Sequence, residues 1–290
     1  MELKEEALMK MERRPDWLKK KVVFSGNIRT AGILKDLNLN TVCREARCPN
    51  ISECFQRGHA TFLVLGKHCT RSCRFCHVPK DAPPETVDPR EPGRIARAVK
   101  KLGLKHVVVT SVTRDDLPDG GARHFARTVG CLRRLSPCVS IELLVPDFRG
   151  DASAVRTVVE SAPDIFGHNL ETVARLYPLR PQADYHRSLD VLKEAKAYGT
   201  RLKTKSALML GLGETEQEVM TALGDLRRAD CDFLALGQYL RPDPRNVGVK
   251  EYLTPQKFET YRKKALALGF LHVESAPYVR SSYNAASYLA

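Results

Sequence analysis

Short apolar runs, most of them rich in β-branched residues, alternate along this chain with stretches whose apolar positions recur at helical spacing. The runs fall at residues 61–65, 106–112, 140–145, 164–167, 202–210 and 233–236, and the helical stretches at 92–102, 121–135, 152–161, 188–198, 216–230 and 255–268. Alternation of this kind is the pattern of βα units. Their strands pair in parallel and are covered on both faces, so they read as near-continuous apolar runs such as Val107-Val-Val109 and Ala207-Leu-Met-Leu210. Six units are too few to close an eight-stranded ring, so the pattern predicts an α/β fold, a partial (β/α)6 barrel.

The flanks read differently. Residues 1–21 suggest a charged amphipathic helix broken at Arg14-Pro15, because the residue before a proline is pushed out of helical conformations. Residues 26–58 show little periodicity and are expected to be loop-rich, with metal as the staple that orders them. The proline-rich stretch 79–92 predicts a rigid loop. The expected organisation is an N-terminal extension over 1–58, a barrel over 59–270 and a C-terminal segment over 271–290. Polar residues cluster just past strand ends, at Thr110, Ser111, Asn169, Glu171, Glu214 and Thr215. In βα folds that edge is where sites are built.

Composition narrows the class. With 290 residues, 43% of them hydrophobic and 28% charged, the chain has enough apolar mass for one large domain. No apolar run approaches the roughly 20 residues that a bilayer span needs, so no membrane insertion is expected. Met1–Glu6 lacks the apolar region of a secretory signal, which makes the cytoplasm the expected location. In a reducing compartment, nine cysteines point to metal ligation or catalysis rather than disulfides. The net charge of +13 favours an acidic partner. No RNA-recognition motif or aromatic-interleaved basic tract makes that partner a nucleic acid.

Six of the nine cysteines lie between residues 43 and 76. Cys69, Cys73 and Cys76 form C-x3-C-x2-C directly after the first strand, one ligand short of a cubane iron–sulfur cluster or a closed zinc site. From spacing alone the group is a cluster with one iron left open, a zinc knuckle completed by His68 or His77, or a set of buried inert cysteines. Upstream, Cys43, Cys48 and Cys54 form C-x4-C-x5-C, again one ligand short, a three-cysteine structural site or a second metal centre. Asn169 and Glu171 could bond nucleoside hydroxyls or serve as a helix cap with its first-turn acid. Gly211-Leu-Gly213 lacks the spacing of a phosphate loop and reads as a tight βα turn. Arg280-Ser-Ser-Tyr283 taken alone is a helix cap or a frayed tail. Cys131, Cys138 and Cys231 lie outside any motif and read as small hydrophobes. No carboxylate dyad or catalytic triad is evident, and no acid or base is assigned.

The C-x3-C-x2-C group followed by βα repeats resembles the radical S-adenosylmethionine (SAM) superfamily. With C-x4-C-x5-C upstream and Arg280-Ser-Ser-Tyr-Asn-Ala285 near the end, the chain resembles the lipoyl synthase family within it. Further matching stretches are Arg14-Pro-Asp-Trp-Leu18, Ala60-Thr-Phe-Leu-Val-Leu-Gly66, Thr110-Ser-Val-Thr-Arg-Asp-Asp-Leu117, Gly167-His-Asn-Leu-Glu-Thr-Val173, Gly211-Leu-Gly-Glu-Thr215 and Gly237-Gln-Tyr-Leu-Arg-Pro242. The resemblance covers essentially the whole chain and departs at Ala207, where the family's Lys-Ser-Gly-Leu-Met run has glycine.

The resemblance implies two [4Fe–4S] clusters and SAM as cofactors. One cluster would sit on Cys69, Cys73 and Cys76 with its open iron chelated by SAM, and Ser111, Asn169 and Glu171 would contact that cofactor. The auxiliary cluster would sit on Cys43, Cys48, Cys54 and Ser282, with Ser281 the fallback ligand. The implied reaction inserts two sulfur atoms at C6 and C8 of an octanoyl chain on a carrier-protein lysine, the auxiliary cluster being the sulfur donor. The implied partners are an octanoylated lipoyl domain or glycine-cleavage H protein and an electron donor such as ferredoxin or flavodoxin.

Overall fold

A computed structural model describes residues 14–19, 28–199 and 201–289. Most of the helix expected over 1–21 lies outside the described residues. Within them Pro15 leads into a single 3-10 turn, Asp16–Leu18, which buries Leu18.

The expected loop-rich segment contains three short helices, α1 (Ile28–Asp36), α2 (Val42–Glu45) and α3 (Ile51–Gln56), and a two-residue strand, β1 (Asn40–Thr41). Helices of nine, four and six residues show too few turns for an apolar period to stand out. Then follow β2 (Thr61–Val64), α4 (Glu91–Leu102), β3 (His106–Ser111), α5 (Ala122–Leu135), β4 (Ser140–Leu144), α6 (Ala152–Glu160), β5 (Ile165–Gly167), α7 (Tyr185–Tyr198), β6 (Lys203–Leu210), α8 (Glu216–Arg228), β7 (Phe233–Gln238), α9 (Pro255–Ala267) and β8 (His272–Ser275). The six βα units run from β2 to α9 as the sequence pattern predicts. The last strand was not expected, because only Val273 in His-Val-Glu-Ser is buried and no apolar run marks it.

Among the described residues the strands form one sheet in chain order, with β1 antiparallel to β2 and every later neighbour parallel. β1 and β8 do not pair, so the barrel stays open. Helix starts are set locally. Asp151, Asp184, Thr215 and Thr254 each accept a backbone N–H of the first turn of α6, α7, α8 and α9, and a cap of this kind contributes about 1 kcal/mol. The core lies between the outer faces of the strands, including Phe62, Val109 and Leu208, and the inner faces of the helices, including Val99, Phe125 and Leu223, all buried.

The inward faces hold something else. Side chains alternate across a strand, and on β6 Lys205, Ala207 and Met209 share the face away from that core. Ala207 packs with Ala235 and Val279, with Tyr283 against them, while Met209 packs with Tyr239 and Phe75. Lys205 meets Glu142 and the ring of Tyr288. The lumen is thus lined partly by the chain's own C-terminal segment. On β7 the same face steps from Phe233 to Ala235 to Gly237. A Cβ at Gly237 would lie 2.0 Å from the Val279 carbonyl oxygen, so the tail's approach there requires glycine.

Candidate functional site

The loop after β2 carries Cys69, Cys73 and Cys76 to the carboxyl edge of the sheet. Neighbouring loops hold it in place. Cys69 N donates to Pro79 O at 2.8 Å, Arg74 N to Leu179 O at 2.8 Å, and Asn246 Nδ2 to Arg74 O and Cys76 O at 3.1 and 3.0 Å. Two backbone amides, Thr113 N at 3.3 Å and Arg71 N at 3.5 Å, point at Cys69 Sγ. Amides so placed favour a sulfur carrying negative charge, as a metal-bound thiolate does. Burial pushes the Cys76 thiol up to about 12 and also raises Cys73, which Arg180 and Arg71 pull back. Burial alone therefore favours the protonated thiols at Cys73 and Cys76, and a bound metal would have to displace those protons.

The expected SAM contacts lie at the end of β3 and just past β5. Ser111 Oγ, at the end of β3, is buried without a hydrogen-bond partner. Asn169 Nδ2 donates to Glu171 Oε1 at 3.0 Å, and no side-chain cap is formed at the 3-10 turn Ala174–Leu179 that follows, so the cap role falls away. Glu171 adopts a left-handed φ of 68°, and its N–H and C=O bond Ala207 O and Met209 N on β6. Burial raises its carboxyl, against Arg180 and Asn169.

Sequence reasoning missed Arg180 and His168, because neither stands in a spaced motif. Arg180 is buried, donates Nη1 to Leu170 O at 3.1 Å and Tyr177 Oη at 2.7 Å, and leaves Nε unpartnered. His168 donates Nδ1–H to Val145 O at 2.9 Å and leaves Nε2 buried and unpartnered. Burial, reinforced by Arg180, holds its imidazole down at about 4. An unpartnered buried donor, Arg180 Nε, and an unpartnered buried acceptor, His168 Nε2, near this loop fit a polar cofactor that carries both kinds of group.

The second cysteine group lies lower, where α2 and α3 reach the sheet. Cys43, Cys48 and Cys54 line a cavity of about 380 Å³ together with Arg280, Ser282 and Tyr283 of the tail. Burial pushes the Cys43 thiol up to about 11, opposed by hydrogen bonds from Thr61. Three bonds stitch the tail in place: Asn50 Nδ2 to Tyr278 O at 2.7 Å, Tyr278 Oη to Leu18 O at 2.6 Å and Tyr283 Oη to Glu53 Oε1 at 3.1 Å. Ser281 turns away and donates to Asn169 Oδ1 at 3.0 Å. Of the two serines, Ser282 is therefore the one facing the thiols, and Ser281 connects the tail to the Asn169–Glu171 pair. Three soft sulfurs and one hard oxygen around a cavity of this size fit an iron–sulfur cluster held by a weak fourth ligand. Among the described residues, no three Cys, His, Asp or Glu side chains are drawn in around a single metal ion. Among the described residues no disulfide is formed.

Other candidates resolve as structure. The amides of Gly211 and Leu212 are occupied by the Glu214 carboxylate, which closes the βα turn. Cys131 lies in α5, Cys138 is exposed just after it, and Cys231 is buried between α8 and β7. No helix among the described residues is long and apolar enough to cross a membrane.

Comparisons with known proteins give the family. Residues 63–226 match the model of the radical SAM superfamily. Lipoyl synthase of Citrifermentans bemidjiense is 56% identical over 277 residues, covering 96% of this chain and 95% of that protein. Lipoyl synthase of Trichlorobacter lovleyi is 55% identical over 280 residues, covering 97% and 100%. Among solved structures, methylornithine synthase superimposes with a TM-score of 0.57 at 14% identity over 86% of this chain and 83% of its own, a likeness of fold alone. An open βα barrel with two separate thiol groups and relatives this similar along nearly its whole length make the chain a member of the lipoyl synthase family of radical SAM enzymes.

Proposed function

We propose that this chain carries out the reaction of lipoyl synthases, the insertion of sulfur at C6 and C8 of an octanoyl group amide-linked to a lysine of a carrier protein. It uses two [4Fe–4S] clusters and SAM. When bound at the Cys69 loop, the cluster and SAM supply a carbon-centred radical that takes hydrogen from unactivated carbon. The chain's own residues bind, orient and exclude water. Cys69, Cys73 and Cys76 hold the cluster, and Ser111, Asn169 and Glu171 hold the cofactor. Cys43, Cys48, Cys54 and Ser282 hold the auxiliary cluster, the sulfur-donating substrate. The proposed organisation is an extension over 1–58, a barrel over 59–270 and a tail over 271–290 that returns to the extension.

The observation carrying this reading is the single cavity lined by Cys43, Cys48, Cys54 and Ser282, contributed from opposite ends of the chain. A hydroxyl is a poor iron ligand beside thiolates, and a poor ligand is useful where the cluster must give up sulfur. In Ser282→Ala, SAM cleavage to 5′-deoxyadenosine is expected to survive while thiolation of an octanoyl-lysine peptide collapses. Retained thiolation would remove Ser282 from the ligand set. The carrier is a lipoyl domain or a glycine-cleavage H protein, and the electrons come from a ferredoxin or flavodoxin. The net charge of +13 supports docking to acidic partners of these kinds.

A further inference from the structure

Between Cys69 and Cys73 stand Thr70, Arg71 and Ser72. Ser72 is exposed, whereas Arg71 is 5% exposed. A buried arginine inside a three-residue interval between two thiols calls for an explanation, since its stem and head had other room in solvent. Its guanidinium is gripped on two edges. Nε and Nη2 donate to Asp115 Oδ2 and Oδ1 at 2.7 and 2.9 Å, and Nη1 and Nη2 donate to Asp147 Oδ2 and Oδ1 at 3.0 and 2.6 Å. Asp115 lies in the loop after β3 and Asp147 in the loop after β4, and Arg187 Nε on α7 donates to Asp147 Oδ2 at 2.9 Å. Thr70 adds to the same fastening. Its N–H and hydroxyl both reach Thr113 O, at 3.1 and 3.0 Å, and its Oγ1 accepts from Asp115 N at 3.1 Å.

We infer that Arg71 is a positioning residue, a two-carboxylate clamp that sets the shape of the Cys69–Cys73 interval against the loops after β3 and β4 so that the thiols are presented before the cluster arrives. This rests on the reading of Cys69, Cys73 and Cys76 as cluster ligands. Two bidentate forks on one group require a planar guanidinium, which a lysine ammonium cannot imitate. The clamp touches neither substrate nor reacting atoms. Its effect is on where the sulfurs stand, and the second thiol group, which does not contact Arg71 among the described residues, serves as an internal reference.

The test uses the holoenzyme. Arg71→Lys and, as the milder change at the more exposed partner, Asp115→Asn are compared with the parent for iron content, thermal midpoint, chelator-driven bleaching of the visible band and the change that SAM produces in the electron paramagnetic resonance spectrum of the reduced protein. Loss of a group that orients ligands weakens metal binding about 10- to 100-fold. In Arg71→Lys, four of the eight irons expected are predicted to be released about tenfold faster or more. The remaining four are released at the parent rate, and the response to SAM is diminished while the thermal midpoint holds. Asp115→Asn is expected to do the same to a smaller degree. Unchanged release kinetics and an unchanged SAM response in both variants would overturn the clamp, and so would equal acceleration at all irons. If Arg71→Lys does not fold, Asp115→Asn decides alone. Cys73→Ala separates the two layers: if it keeps eight irons, the assignment of the loop itself is wrong rather than the role of Arg71.

Discussion

The two thiol groups are built in opposite ways. Cys69, Cys73 and Cys76 lie within eight residues on one loop, which Arg71, Asn246 and Thr70 bind to the neighbouring loops. Cys43 and Cys54 stand on two short helices and Cys48 in the turn between them, and the cavity they line is closed by Ser282 of the tail. One is set by the barrel's own edge. The other depends on a segment that threads the lumen past Gly237 and Ala207 and is fastened at Asn50, Glu53 and Leu18. A site that keeps its metal suits the first construction, and a site whose metal is spent suits the second.

The largest expected effect breaks the two apart. Cys73→Ala should abolish both SAM cleavage and thiolation, whereas Cys48→Ala should abolish thiolation and leave SAM cleavage near the parent level. Each variant should retain about four irons, the complement of one cubane. Loss of SAM cleavage in Cys48→Ala would show that the two sites are not separable.

Next in size is the pair beneath the tail. Lys205 Nζ lies 3.0 and 3.1 Å from the Glu142 oxygens with both side chains fully buried, and Tyr288 covers the ammonium at 3.7 Å from its ring centroid. Burial pushes the Glu142 carboxyl up, but Lys205 and His106 more than offset it and leave it below the usual range. Lys205→Met leaves the buried Glu142 carboxylate with only His106, 3.6 Å away, beside it and should cost about 3–5 kcal/mol in denaturant unfolding. Because the pair lies under the tail, iron at the Cys43 group should become labile before iron at the Cys69 loop. Equal lability would mean that the two regions share one support.

How much of this was legible in the sequence follows from the same contrast. The Cys69 loop is local, so spacing alone announced a metal, and the alternating runs announced the open barrel around it. Ser282 was reachable only through the resemblance, since no spacing rule joins a serine near the end of the chain to Cys43. Arg180 and the Lys205–Glu142 pair left no signal, because a buried charge in a strand or loop looks like a surface charge until its partner is seen across the fold, and His168 stood inside a matching stretch without a spacing that singled it out. Strand β8 was hidden by its polar residues, and α1, α2 and α3 by their shortness. The departure at Ala207 becomes interpretable once its neighbours are known: it packs on Val279, at the mid-height of the tail's path.

A pH dependence should mark the upper site most strongly. His168 titrates at about 4 in the folded chain because it is buried beside Arg180, whereas an unfolded histidine titrates near 6.5. Between those values the unfolded chain binds the extra proton, so stability is complete above about 6.5 and falls with acid at about 1.4 kcal/mol per pH unit. From pH 7 to pH 5 the group should cost about 2 kcal/mol, and His168→Gln should remove that slope in denaturant titrations. An unchanged slope in the variant would place the acid sensitivity elsewhere, with the tail a candidate.

The smallest effect asks what holds the tail's far end. Tyr288 Oη donates to Leu234 O at 3.2 Å, while its ring lies 5.3 Å from Phe233 and 4.7 Å from His272, centroid to centroid, and caps Lys205. Tyr288→Phe removes one neutral hydrogen bond and leaves the Leu234 carbonyl paired within the sheet, which should cost about 1 kcal/mol, or about 2–4 °C in thermal midpoint. The ring keeps its place over Lys205, so auxiliary iron and thiolation should persist. Tyr288→Ala removes the ring, bares the ion pair and should release the tail that carries Ser282, with loss of iron from the Cys43 group. If Tyr288→Phe loses that iron as readily as Tyr288→Ala, a single hydrogen bond, and not the ring seated on a buried lysine, is what keeps the second site assembled.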